Sequence, residues 1–304
     1  MVNRLKRAEG LIGLGVFAVS TGLLLAGLPW MKTWYYVFAW WSLILVLDAL
    51  ERARSGRSFV FDSPREFLFA AAVSVPVWLV FELFNLRLRN WSYHGVPAGL
   101  PERWIGYTAA FATVIPALKL FAGHFERRFG RALKPSRPLK FGRAARTALI
   151  GTGILMLALP LLWPRLFFPL VWIGFVLWLD PLNRLGGYPS LLGDLENGRP
   201  ARIAAWAAAG LAAGLCWELL NFWAGSHWEY HLPYLDFSRI FQMPVFGYGG
   251  FIPFALEVFA LDAFLAGLYG RVRRSRAGRL AFWAALLFFS LAAYHFIDII
   301  SVVQ

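Results

Sequence analysis

Two short segments carry the residues best suited to chemistry. Glu82-Leu-Phe-Asn85 and Glu218-Leu-Leu-Asn221 each set a carboxyl and an amide three residues apart, on one face of a helix, inside apolar sequence. Each is followed by an aromatic segment with a histidine, Trp91-Ser-Tyr-His94 and Trp228-Glu-Tyr-His231, and a third acid, Glu257, follows alone. A carboxyl kept protonated by apolar surroundings can deliver a proton to an alkene or a leaving oxygen. Trp and Tyr faces can stabilise the positive charge that then develops. Glu82, Glu218 and Glu257 are therefore the candidate acids and His94 and His231 the proton relays. Asn85, Asn221, Trp91, Trp228, Tyr93 and Tyr230 are candidates for holding a substrate. The plainer reading keeps each Glu–Asn pair as a helix clamp, with Arg87 or Arg89 as counter-ion in the first copy, and leaves the aromatics in an interfacial belt.

The elements that must position these residues are membrane spans. Of 304 residues, 59% are hydrophobic, 17% aromatic and 15% charged, against about 25% charged in soluble domains. Apolar runs at 11–30, 34–52, 65–86, 104–125, 146–163, 166–183, 201–223, 246–269 and 280–301, bounded by Pro, Gly or basic residues, predict an all-α polytopic membrane protein of about nine helices. Most of the 30 Lys and Arg fall in the N-terminal tail (Arg4, Lys6, Arg7) and in alternate loops, above all 126–146. By the positive-inside rule this places the N-terminus in the cytoplasm, the C-terminus outside and the chain in a bacterial inner membrane. The net charge of +13 is then accounted for by anionic lipid headgroups, and nucleic acid is not expected as a partner.

The spans repeat. Glu82, Asn85, Trp91, Tyr93 and His94 align with Glu218, Asn221, Trp228, Tyr230 and His231 across one inserted residue. Upstream, Trp40 and Leu47-Asp48 match Trp172 and Leu179-Asp180; downstream, Pro97 and Gly106-Tyr107 match Pro233 and Gly247-Tyr248. The chain divides into a four-helix repeat at 8–125, a basic linker at 126–146, a second four-helix repeat at 146–270 and an added helix at 280–301. An even number of spans per copy makes the repeats parallel, related by an axis along the membrane normal. Leu25-Ala26-Gly27 resembles a signal-peptide cleavage site, but the first span has a counterpart at 146–163 and is expected to be retained.

With this topology the Glu–Asn pairs, the aromatic segments, His227, His295 and Asp298 gather in the outer half, in a polar pocket between the repeats. Glu257, ten residues beyond Gly247, would lie about 15 Å deep, near the midplane. Asp48 and Asp180 fall beside Arg52 and Arg184 and read as salt-bridge partners. Lys119 and Asp262 either pair with each other or line a cavity.

The single cysteine, Cys216, excludes internal disulfides and thiolate clusters. There is no Walker A sequence, GxGxxG, HExxH or GxSxG, so nucleotide hydrolysis, zinc proteolysis and α/β-hydrolase chemistry have no motif here. No motif indicates a cofactor. His94, His231 and the three Glu are of types that suit zinc, iron or manganese, but no pair has HxxxH or ExxH spacing, and no metal ligand is assigned. The expected partners are membrane lipid and a hydrophobic small molecule.

In the second repeat the order Trp228-Glu-Tyr230, Gly247-Tyr248, Pro253 and Glu257 resembles the membrane-embedded lycopene cyclases of the fused or heterodimeric type and the related carotenoid hydratases. That resemblance covers roughly 40 residues of the second repeat. It implies a long isoprenoid substrate, protonated by the residue at Glu257. The residues alone support an acid–base enzyme acting on a lipid or isoprenoid, a proton-coupled transporter using the same carboxylates, or a membrane scaffold subunit.

Overall fold

The computed structural model describes residues 2–303, with side chains from Ala8 onward; the side chains of Arg4, Lys6 and Arg7 lie outside those described residues. The chain forms an all-α bundle. Among the described residues nine helical stretches are long and apolar enough to cross a bilayer, from Ala8–Leu25 to Arg276–Ile300. The first repeat contains α1 (Val2–Leu25), α2 (Pro29–Ser55), a short α3 (Phe59–Asp62), α4 (Pro64–Leu88), strand β1 (Trp91–His94), α5 (Leu100–Phe111) and α6 (Val114–Ala132). The second contains α7 (Arg143–Leu162), α8 (Pro164–Phe167), α9 (Val171–Gly186), a short α10 (Leu191–Glu196), α11 (Ala201–Trp223), strand β2 (His227–Tyr230), a small hairpin of β3 (Arg239–Ile240) and β4 (Met243–Pro244), and α12 (Phe251–Val272). The added helix is α13 (Arg276–Ile300).

Burial follows position in the bundle. The windows of α1 and α7 are each only 17% buried, whereas α4 and the α5–α6 stretch are 61% buried. Leu11, Val19, Leu25, Leu155 and Leu162 project outward, as expected of helices whose outer solvent is hydrocarbon. The span at 100–132 is broken in the middle. The Ser74 hydroxyl donates to the Phe111 carbonyl (2.5 Å) and accepts from the Ile115 amide (3.0 Å), entering the helical ladder between a carbonyl and the amide four residues later. Pro116 then sits in the first turn of α6, where its missing N–H costs little.

At one end of the bundle β1 and β2 pair antiparallel, with Trp91 opposite Tyr230, Ser92 opposite Glu229, Tyr93 opposite Trp228 and His94 opposite His227. Gly95 ends β1 with φ +62°, and a Cβ there would lie 2.3 Å from the Gly225 carbonyl oxygen; only glycine fits. The C-terminus closes the same end, the Tyr93 amide donating to Ser301 O (2.7 Å) and the Val303 amide to Tyr93 O (2.9 Å).

At the other end the short helices are capped alike. Asp48 accepts from the Phe59 and Val60 amides (2.6 and 3.3 Å), and Asp180 from the Leu191 and Leu192 amides (2.8 and 2.7 Å). Ser58 and Ser190 accept from the Phe61 and Gly193 amides, both at 2.8 Å. The aspartates are thus bound to helix N-termini, not to the neighbouring arginines. Arg52 pairs with Glu9 and Arg184 with Glu196, each at 2.6 Å.

Candidate functional site

A cavity of about 390 Å³ opens at the strand end between the two copies, bounded by α2, α4, α5, α9, α11, α12 and both strands. Its surface is mostly apolar and rich in aromatic rings. Phe254 forms the floor, with ring centroids 5.8 Å from Trp78, 5.8 Å from Trp172 and 5.7 Å from Trp217. The walls are Trp91, Tyr93, Trp228, Tyr230 and Tyr36, and Tyr36 meets Trp228 edge to face at 5.2 Å. Two aromatic contacts are equivalent between the copies: Trp40 with Trp217 (5.7 Å) and Trp172 with Phe81 (5.4 Å).

The strand register places Trp91, Tyr93, Trp228 and Tyr230 at the cavity, and the carboxyls stand directly behind them. Glu82 is fully buried and accepts from Trp78 Nε1 (2.8 Å), from Trp91 Nε1 (3.1 Å) and from the Tyr93 hydroxyl. Glu218 is equally buried and accepts from the Tyr230 hydroxyl at 2.9 Å. Neither arginine serves as counter-ion to Glu82: Arg87 donates to Leu161 O (3.0 Å), and Arg89 ends α4 at φ 52°.

Asn85 and Asn221 lie away from the cavity, each holding the start of its strand. Asn85 Nδ2 donates to Trp91 O (2.8 Å), and its Oδ1 accepts from the Asn90 and Trp91 amides (2.8 and 3.2 Å). Asn221 donates to Trp228 O (2.8 Å) and accepts from the Trp228 amide (2.9 Å). They fix the turn that aims the Trp and Tyr rings.

Three histidines meet on the strand pair. His94 and His231 share the Ser92 hydroxyl at 2.9 and 3.0 Å, His94 stacks on His227 at 5.7 Å, and Glu229 lies 3.3 Å from His227 and 3.9 Å from His94. His227 reaches the cavity, while His94 and His231 lie outside its lining. His295 is exposed on α13 beside Phe296 and does not join them. Among the described residues no group of three or more His, Cys, Asp or Glu has an arrangement that could hold a metal ion.

Glu257 is fully buried and accepts from the Phe175 amide of α9 at 2.7 Å, apart from the cavity lining. Lys119 and Asp262 do pair, at 2.7 Å, and both line a second cavity of about 640 Å³ toward the short-helix end.

The sequence alone does not assign Trp78, Trp217 or Phe254 to the site, and it marks Tyr107 only as a repeat match to Tyr248. A signal was present in part, since the residue before each repeated Glu is aromatic, Phe81 and Trp217. It also missed Arg103, which lines the cavity and pairs with Asp298 at 2.9 Å. Asp298 further accepts from Trp104 Nε1 (2.7 Å) and the Tyr107 hydroxyl (3.0 Å), fastening α13 to α5.

In comparisons with known proteins, no family model, no curated protein and no solved structure matches the chain.

Proposed function

We propose that the protein is an integral membrane enzyme that takes a long hydrophobic, isoprenoid-type substrate into the aromatic cavity and carries out acid–base chemistry on it. One observation carries this reading: an apolar cavity of about 390 Å³ is lined by two tyrosines, Tyr93 and Tyr230, whose hydroxyls each donate to a fully buried carboxyl behind them. A tyrosine hydroxyl at the cavity wall, with Glu82 or Glu218 behind it, can pass a proton to an alkene and take one back from a neighbouring carbon. Such an isomerisation or cyclisation gains and loses one proton and needs no further reactant. Trp78, Trp91, Trp172, Trp217 and Trp228 offer ring faces to the transient cation, and the apolar walls exclude water that would capture it. The resemblance of the second repeat to lycopene cyclases and carotenoid hydratases agrees with this substrate class. It favours Glu257 as the acid, but Glu257 bonds to backbone away from the cavity, and the carboxyls behind the tyrosines are the better placed. His94 and His231, outside the cavity lining, are suited to relaying protons to the outer aqueous phase of a bacterial inner membrane.

A second reading, a proton-coupled transporter, draws on the second cavity. That cavity is lined by α6, α11 and α12, of which α11 and α12 also bound the first, and contains the Lys119–Asp262 pair.

The test is mass spectrometry of lipids retained by the gently solubilised protein, followed by return of the retained compound to the protein in proteoliposomes. An isoprenoid is expected to be retained by the wild type, lost on Trp217→Ala, and converted by the wild type but not by Tyr93→Phe/Tyr230→Phe. Retention without conversion would overturn the enzyme reading in favour of transport. Retention of no isoprenoid would overturn the substrate class.

A further inference from the structure

The two carboxyl sets occupy equivalent places but are not equally satisfied. Glu82 accepts from three side-chain donors, Trp78, Trp91 and Tyr93, all on Oε1, and the Trp91 indole N–H also approaches Oε2 at 3.3 Å. Glu218 has one donor, Tyr230, and its Oε2 is buried without a hydrogen-bond partner. The Trp228 indole N–H, counterpart of Trp91, lies by the same carboxyl but is buried without making a well-formed hydrogen bond. The cause is a substitution between the copies. The position matching Trp78 is Gly214, and the space is filled by Phe251, whose ring would lie 2.2 Å from a Cβ on Gly214. A donor in the first copy has become an apolar ring in the second.

Three donors on one carboxyl favour its charged form more than a single donor does, and each would bond a protonated, neutral carboxyl less strongly. A carboxyl with one donor and one open oxygen can gain and lose a proton while every other protein hydrogen bond stays intact. We infer that Glu218, acting through Tyr230 at the cavity wall, is the proton-exchanging group of the site, and that Glu82 is a positioning residue locking the Trp78–Trp91–Tyr93 wall. The inference rests on the proposed acid–base reading only in directing the exchanged proton to a substrate. The asymmetry itself can be tested without one.

Infrared difference spectra of the substrate-free protein after a pH jump are expected to contain a carboxyl band that shifts on Tyr230→Phe, is lost on Glu218→Gln and persists on Glu82→Gln. Thermal unfolding provides a second readout. Gln at 218 can accept from Tyr230 and direct its NH₂ to the open side, so the midpoint should be unchanged within about 1 °C. Gln at 82 sets an NH₂ 3.3 Å from the Trp91 indole N–H and replaces a charged acceptor of three donors by a neutral one, so the midpoint should fall by at least about 3 °C. If Glu82→Gln does not fold, Trp78→Phe removes one donor and keeps the ring; a lowered midpoint with an unchanged band is then expected. A band lost on Glu82→Gln, no band that depends on Glu218, or an equal loss of stability in both Gln variants would overturn the inference. If the band behaves as expected but no isoprenoid is retained, the substrate reading fails and the asymmetry stands.

Discussion

Trp91 stands opposite Tyr230 in the antiparallel register of β1 and β2, and Tyr93 stands opposite Trp228. The two pairs are the same pair seen twice, because the repeat aligns Trp91 with Trp228 and Tyr93 with Tyr230. An antiparallel ladder has two-fold symmetry at its centre, so two similar segments can meet in it without either changing shape. The aromatic wall of the cavity is thus built half from each copy. Neither copy alone would form it.

The joint is tight at Gly95. Alanine there would combine a positive φ with a Cβ 2.3 Å from the Gly225 carbonyl oxygen, and together these should cost about 2–4 kcal/mol. Gly95→Ala should lower the unfolding midpoint and increase hydrogen exchange at the His231 amide, which donates to Asn90 O at the start of the strand pair. An unchanged midpoint would show that the strands are not held in this register.

At the opposite end Asp180→Ala would release the Leu191 and Leu192 amides at the start of α10, a loss of about 1–2 kcal/mol. Limited proteolysis between residues 187 and 200 should accelerate, while Arg184→Ala, which leaves those amides bonded, should have the smaller effect. The reverse order would restore an Asp180–Arg184 pairing.

These two ends show what could be read from the sequence. Each span was legible because a bilayer demands a continuous apolar run whatever its neighbours, and the repeat because Glu82/Glu218 and Trp91/Trp228 are rare residue types for their surroundings. The pairing of β1 with β2 was not legible, since four residues beside a helix end read as a loop until a second copy is brought against them. Asp48 and Asp180 were given arginine partners for a similar reason. Helices of four and six residues leave almost no periodic signal, so the N-termini that the aspartates cap were invisible. The role of Trp78 was hidden by divergence, because its counterpart is Gly214 and an alignment of identities passes over it.

Acid should loosen the short-helix end through Glu196, which lies outside the spans. Burial alone would raise its carboxyl, but hydrogen bonds from Arg184 and Arg146, at 2.6 and 2.8 Å, outweigh burial and hold it below its ordinary value of 4.5. A carboxyl depressed in the folded state adds stability above about pH 4.5, and that contribution disappears as pH falls through the folded value. Burial raises the carboxyl of nearby Asp194, with the opposite sign of linkage, so variants must separate the two. Glu196→Gln should flatten the acid limb of a stability–pH curve; an unaltered limb would assign it elsewhere.

Asp298 joins α13 to the cavity wall by accepting from Trp104 and Tyr107 and pairing with Arg103. Removing it leaves Arg103 uncompensated where the two side chains are only 11% and 10% exposed. Asp298→Ala should therefore cost about 3–5 kcal/mol. Asp298→Asn, which keeps an acceptor for the indole or the phenol, should cost less. Release of α13 should also free the Tyr93 backbone from Ser301 and Val303, read as faster exchange at Tyr93. Slow exchange in Asp298→Ala would mean that the C-terminal residues hold β1 unaided.

Orientation is the last expectation. Nine crossings, the number of candidate spans among the described residues, would place the two termini on opposite faces, and the basic residues gather at one of them. Arg127, Arg128 and Arg131 close α6, Lys134, Arg137 and Lys140 follow in the connection, and Arg143 opens α7. Translocating such a segment is opposed by the same bias that orients other multi-pass proteins, so this face should be cytoplasmic and the strand end outside. A reporter active only in the cytoplasm should be silent at the C-terminus and active when inserted at residues 134–140, and a reporter active only outside should give the reverse. Cytoplasmic activity at the C-terminus would remove one crossing from the count. It would also turn either the strand end with its cavity or α13 to the other face. The proton relay from His94 and His231 to the outer phase would then have to be redrawn.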